Sequence, residues 1–144
     1  MIKIDFPCHS YKIKNERGKE LIFDECRKQW FQLTPEEWVR QNFLQYLIYT
    51  KHYPPSLIAV EREISVGDLK KRCDIVVFKN SKPWMIVECK EMKAALNEAV
   101  IKQILNYNIS LRVSYLVITN GTSTFALSID GTQHQWIEEI PDFA

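Results

Sequence analysis

Two short apolar runs, Ile75–Phe78 and Trp84–Val87, constrain this chain more than any other feature. Both are rich in β-branched and aromatic residues and carry no polar residue to mark a solvent face, so they read as buried strands. Lys79-Asn80-Ser81-Lys82-Pro83 separates them and supplies a turn, which makes the pair a β-hairpin. Asp74 precedes Ser81 by the same number of residues as Glu88 follows it, so a hairpin folded about Ser81 sets the two carboxylates opposite each other. Directly opposite side chains stand about 4.5–5.5 Å apart at Cβ. Faces alternate along a strand, so Glu88 and Lys90 share one side while Cys89 points away. Two acids and a lysine therefore converge where the apolar strands end.

Carboxylates held this close repel unless a proton or a cation lies between them, and an all-oxygen acidic pair suits a hard ion such as Mg²⁺. Lys90 adds a point charge for a phosphate oxygen or for an attacking water. The plainer reading is that Asp74 ends a strand and Glu88 pairs with Lys90 in solvent. Two buried strands, a matched aspartate and a helix directly after Lys90 favour the site.

The remaining elements follow from period and punctuation. Thr34-Pro35-Glu36-Glu37 is a helix start, with Thr34 as cap and Pro35 in the first helical position, and the helix is expected to run to about Thr50. Val39, Phe43 and Leu47 centre its apolar face, which aims Glu37 and Arg40 inward. Glu37 can equally bond back to Thr34 as a capping-box glutamate. Leu57–Val66, the Gly67-Asp68 turn and Lys70–Phe78 extend the hairpin to a three-stranded meander, with Glu61 and Glu63 read as a solvent-facing pair. Leu96, Val100, Ile104 and Tyr107 then recur at helical spacing, with Ile101 and Leu105 widening the stripe; Gln103 borders it, and Tyr107 reads as core packing. Val113–Thr119 is a central strand, Asn120-Gly121 a turn, and Thr124–Ile129 a further strand. Tyr11–Lys14 and Leu21–Phe23 flank Asn15–Gly18 as a separate hairpin. The expectation is one α/β domain: a mixed central β-sheet flanked by helices in the order α-β-β-β-α-β-β, with an N-terminal β-hairpin extension over residues 1–32, a core over 33–130 and a tail over 131–144.

Asp74, the spacer and Glu88-Cys89-Lys90 resemble the PD-(D/E)XK nuclease motif, with Cys73 standing where the motif's name has proline. Leu33–Gln41 (L-T-P-E-E-W-V-R-Q), the Q-x-x-x-Y spacing of Gln103 and Tyr107, and Thr119-Asn120-Gly121 extend the likeness to the N-terminal nuclease domain of type I restriction enzyme R subunits. The resemblance implies a restriction-endonuclease-like core that hydrolyses DNA, RNA being the alternative, with Mg²⁺ as cofactor and Mn²⁺ as its substitute. It places the metal on Asp74, Glu88 and the Cys89 backbone carbonyl, with Glu37 as a further acid from the first helix, and gives Lys90 the catalytic lysine's role. Gln103 and Tyr107 would support the site and contact DNA, with Arg40, Lys70, Lys71 and Arg72 as accompanying cations. A restriction-system or motor partner is implied too, since 144 residues leave no room for a translocase. The alternative of a different class is a catalytically silent nuclease-fold module that docks nucleic acid or a restriction or defence partner. A nuclease toxin would share the chemistry.

A formal net charge of +1 gives little overall attraction to nucleic acid, so binding must rest on local clusters. Lys70-Lys71-Arg72 is the best of these and Arg27-Lys28 another; a lysine-protected strand edge explains either equally well. Cys8, Cys26, Cys73 and Cys89 form no C-x-x-C pair, which argues against structural zinc and for reduced thiols. With no signal pattern and no apolar run near 20 residues, a cytoplasmic protein without membrane contact is expected; a dimer is compatible with the sequence.

Overall fold

In chain order the computed structural model, which describes residues 1–143, begins with three short strands, β1 (Ile13–Glu16), β2 (Lys19–Asp24) and β3 (Gln29–Gln32). They form a three-stranded antiparallel sheet. The expected hairpin is its first part, closed by Arg17-Gly18, both at positive φ as a two-residue turn between right-twisted strands requires. Its third strand, Gln-Trp-Phe-Gln, has no periodicity long enough to be read from sequence.

Helix α1 (Pro35–Gln45) starts where the cap predicts: the Glu37 backbone N–H donates to Thr34 Oγ1 at 3.1 Å. Its path continues through a π-helical turn, Tyr46–Thr50, and so ends at the expected residue. Strands β4 (Ile58–Val66), β5 (Leu69–Lys79) and β6 (Lys82–Cys89), helix α2 (Glu98–Asn108), and strands β7 (Tyr115–Thr119), β8 (Thr124–Asp130) and β9 (Gln133–Ile137) complete the chain. The expected α-β-β-β-α-β-β order is present. One strand is added, since β9 lies in the stretch read as a tail and pairs with β8.

The main sheet runs β4-β5-β6-β7-β8-β9; only β6 and β7 pair in parallel, because α2 carries the chain back between them. Alternation along the central strands divides the core in two. Ile75, Val77, Met85, Val87, Cys89 and Val117 pack with Val39 and Phe43 of α1 and Leu47 of the π-helical turn on one face. Val76, Ile86, Leu116 and Ile118 pack with Ile101 and Leu105 of α2 on the other. This two-sided cover is why the strands read as unbroken apolar runs. No helix among the described residues is long and apolar enough to cross a membrane.

Candidate active site

The β5–β6 turn is Asn80-Ser81, both at positive φ, half a residue from the symmetry centre expected at Ser81. A bulge between Val77 and Phe78 inserts one residue on β6 and restores the expected register, so that Ile75 stands opposite Val87. The ladder ends at this pair, with Asp74 and Glu88 the next residues along their strands. Their side chains nevertheless diverge, which the simple hairpin did not predict.

The cause lies in β4. Its ladder to β5 skips the Glu61/Asp74 pair, passing from Val60↔Ile75 to Arg62↔Cys73, and Glu61 has φ of 53°. Across this break the faces exchange: Cys73 joins the α2-side core although Ile75, two residues on, belongs to the α1 side. Asp74 sits at the exchange and turns toward α1, where its Oδ1 accepts from Arg40 at 2.9 Å. Its Oδ2 accepts the Cys89 backbone N–H at 2.8 Å, anchoring the carboxylate one residue from Glu88. Glu88 follows Ile86 onto the α2 face, where Lys71 donates to its Oε1.

Lys71 also donates to Asn108 Oδ1 at 2.9 Å and lies 5.1 Å from the centre of the Tyr107 ring. Glu88, Lys71, Lys90, Gln103, Tyr107 and Asn108 thus line one cavity of about 320 Å³ between the end of β6 and α2. Lys90 is exposed there, and its backbone is fixed by an N–H bond to the Thr119 carbonyl at 2.8 Å. Asn120 holds the loop that follows: its side chain donates to the Ala94 carbonyl at 2.8 Å and accepts from the N–H groups of Thr122 and Ser123. Burial pushes the Glu88 carboxyl above its ordinary value; Lys71 pulls it back by hydrogen bond and charge, and the charge of Asp74 pushes it up further. The two carboxylates therefore sense each other although they face different helices.

Arg40 collects the acids on the α1 side. Its guanidinium meets Glu37, Asp74, Glu61 at 2.6 Å and Glu36 at 3.6 Å. Glu37 bonds Arg40 and, at 2.5 Å, Arg27, so both its oxygens serve arginines; the capping-box bond back to Thr34 is not made, because the Thr34 N–H goes to the Gln32 carbonyl. Glu36 is the acid of this helix that stands in the field of Asp74 and Lys90, its carboxyl raised by burial and by Asp74 and lowered by Arg40 and Lys90. Glu61 and Glu63 do not form a solvent-facing pair, since the positive φ turns Glu61 onto Arg40 and Arg72 while Glu63 stays exposed.

Other sequence expectations change place. Tyr107 is 60% exposed rather than core, because the buried stripe of α2 is Ile101, Leu105 and Asn108. That spacing, one residue apart from the stripe read in sequence, is the signal that would have found Asn108. Lys70-Lys71-Arg72 is not one basic edge: Lys71 points into the cavity, Arg72 pairs with Glu61 at 2.7 Å, and Lys70 is exposed. Arg27 is not a surface cation either, being committed to Asp24 and Glu37.

Among the described residues no group of three or more His, Cys, Asp or Glu side chains is placed to hold a metal ion. The oxygen donors at hand are the carboxylates of Asp74 and Glu88 and the Cys89 carbonyl. That set fits Mg²⁺ in type, because Mg²⁺ uses one or two carboxylates and completes its shell with water and substrate phosphate. Arg40 and Lys71 hold these same carboxylates, so an arriving cation competes with two internal ones.

A family model described as the N terminus of the type I restriction enzyme R protein matches residues 35–143. No curated protein and no solved structure is a match to the chain.

Proposed function

The chain belongs to the family of type I restriction enzyme R protein N-terminal domains, and from that premise we propose that it is a metal-dependent nuclease acting on the phosphodiester bonds of DNA within a restriction system. The observation that carries the reading is the cavity that gathers Glu88, Lys90, Gln103 and Tyr107, with Asp74 anchored on the neighbouring Cys89 N–H. Asp74, Glu88 and the Cys89 carbonyl would hold Mg²⁺ or Mn²⁺. The bound ion would supply a water of lowered pKa and positive charge at the scissile phosphate.

The chain's own residues do the rest. Lys90, kept in place by Thr119 and exposed to the cavity, orients the attacking water or stabilises charge on the phosphate. Gln103 and Tyr107, on successive turns of one side of α2, contact the DNA backbone at the rim, and exposed Lys70 adds an electrostatic contact outside it. A DNA-translocating partner of the same restriction system would bring substrate to this cavity.

A second reading, a catalytically silent module that docks nucleic acid or a restriction partner, is favoured by one observation: Arg40 and Lys71 already occupy both carboxylates. Plasmid nicking separates the two. Purified protein should nick supercoiled DNA with Mg²⁺ or Mn²⁺ and not with chelator, and Lys90→Ala should abolish it. Cleavage of equal rate in Lys90→Ala would remove the enzyme reading.

A further inference from the structure

The first 34 residues lie outside the matched family region, yet a buried chain of alternating charge leads from them to Asp74. It begins at Asp24, the last residue of β2, which is fully buried. Asp24 Oδ1 accepts the backbone N–H groups of Cys26 and Arg27, each at 2.8 Å, which shapes the β2–β3 turn. Its Oδ2 accepts Arg27 Nε at 2.7 Å and the Gln41 amide at 2.9 Å. Arg27, its guanidinium 3.4 Å from the centre of the Phe31 ring, reaches on to Glu37 at 2.5 Å; Glu37 bonds Arg40, and Arg40 bonds Asp74. Side-chain exposure along this path never exceeds 16%.

We propose that Arg27 is a positioning residue of the site, acting through Glu37 and Arg40 to set where the Asp74 carboxylate stands; the proposal rests on the nuclease reading above. Charge allocation around Arg40 sets the effect. Arg40 is shared among Glu36, Glu37, Glu61 and Asp74. Arg27 satisfies one oxygen of Glu37, which leaves part of the Arg40 fork for Asp74. Without Arg27, the buried Glu37 claims Arg40 for itself, because an unpaired buried carboxylate is costly. Asp74 then loses its cation and keeps only the Cys89 N–H.

This makes two effects run in opposite directions. A site with one positive charge fewer should bind a divalent cation more tightly, while an Asp74 no longer held in place should turn substrate over more slowly. Partial unfolding does not do both: it lowers the apparent kcat, but it weakens apparent cation binding, because the ion must first draw the chain back to the folded state.

The test is a double-mutant cycle of Arg27→Gln and Glu37→Gln, read by Mn²⁺ titration of the metal-free proteins and by kcat for plasmid nicking. Arg27→Gln should tighten Mn²⁺ binding several-fold and lower kcat. In the Glu37→Gln background it should change neither, since its message passes through Glu37. If circular dichroism shows Arg27→Gln unfolded, Arg27→Lys takes its place, and the shortened contact should lower kcat in the wild-type background only. A wild-type protein that binds no Mn²⁺ and does not nick overturns the site reading and this proposal with it. Binding and nicking by the wild type, with Arg27→Gln keeping both constants or acting undiminished without Glu37, overturns this proposal alone.

Discussion

Replacing Arg40 with methionine keeps most of the side chain's length and removes the charge on which the α1 side of the site depends. The Arg40 side chain is 9% exposed, and burial alone would favour its neutral form; the hydrogen bond to Asp74 and the charges of Glu37, Asp74 and Glu61 outweigh this and hold it more firmly protonated than a free arginine. Its acids do not all lose equally. Glu37 keeps Arg27 and Glu61 keeps Arg72, whereas Asp74 retains only the Cys89 N–H. Removing one partner of a buried pair costs roughly 3–5 kcal/mol, and because two of the acids retain cations the lower end applies, about 3 kcal/mol. For a chain of this size that is a fall in Tm of roughly 6–12 °C.

Urea unfolding in chelator should therefore show a lower midpoint with an unchanged slope, the mark of lost stability without a change in exposed surface. Added Mn²⁺ or Mg²⁺ should return more stability to Arg40→Met than it gives the wild type, because the vacated acids accept the cation and binding to the folded state stabilises it, by about 2.7 kcal/mol at a hundred times Kd. A loss below about 1 kcal/mol, the range of an exposed ion pair, together with an equal metal response in both proteins, would refute the reasoning.

Two further predictions test neighbouring elements. Because the Glu88 carboxyl is raised above its ordinary 4.5, its folded form holds a proton that the unfolded chain has released; its contribution is present below that pH and lost as pH rises through the raised value. The stability of the metal-free wild type relative to Glu88→Gln should thus fall as pH is increased from about 4 toward neutrality in denaturant titrations, and a constant difference would contradict the assigned direction. Gly121 has φ of 87°, and an added Cβ would meet Val39 and Met92 only at 3.4–3.5 Å, so Gly121→Ala costs backbone strain rather than a clash. A loss of about 1–2 kcal/mol is expected, with faster hydrogen exchange of the Ala94 loop that Asn120 tethers; no change in either would show the turn to be free of strain.

Local chemistry made much of this architecture legible from sequence. Thr34 and Pro35 mark a helix start because their own side chains make it, and the apolar runs around Ser81 mark paired strands because both faces must be covered wherever no polar residue marks an outer one. The Ile75–Val87 register, which leaves Asp74 and Glu88 at neighbouring strand ends, was readable for the same reason, the bulge compensating for the shifted turn. What the tertiary structure alone decided is direction. Asp74 turns to α1 because Glu61 adopts a positive φ, a conformation that nothing in a glutamate's identity foretells. Lys71 enters the cavity while Lys70 and Arg72 stay outside because strand alternation separates neighbours that look like one cluster in the sequence. Arg27 and Asp74 belong to one ionic chain only because β3 and α1 fold the β2–β3 turn back onto the main sheet. A one-dimensional pattern reports which residues can be buried; which charge meets which is settled by long-range packing, where several acids compete for one guanidinium and geometry allots it.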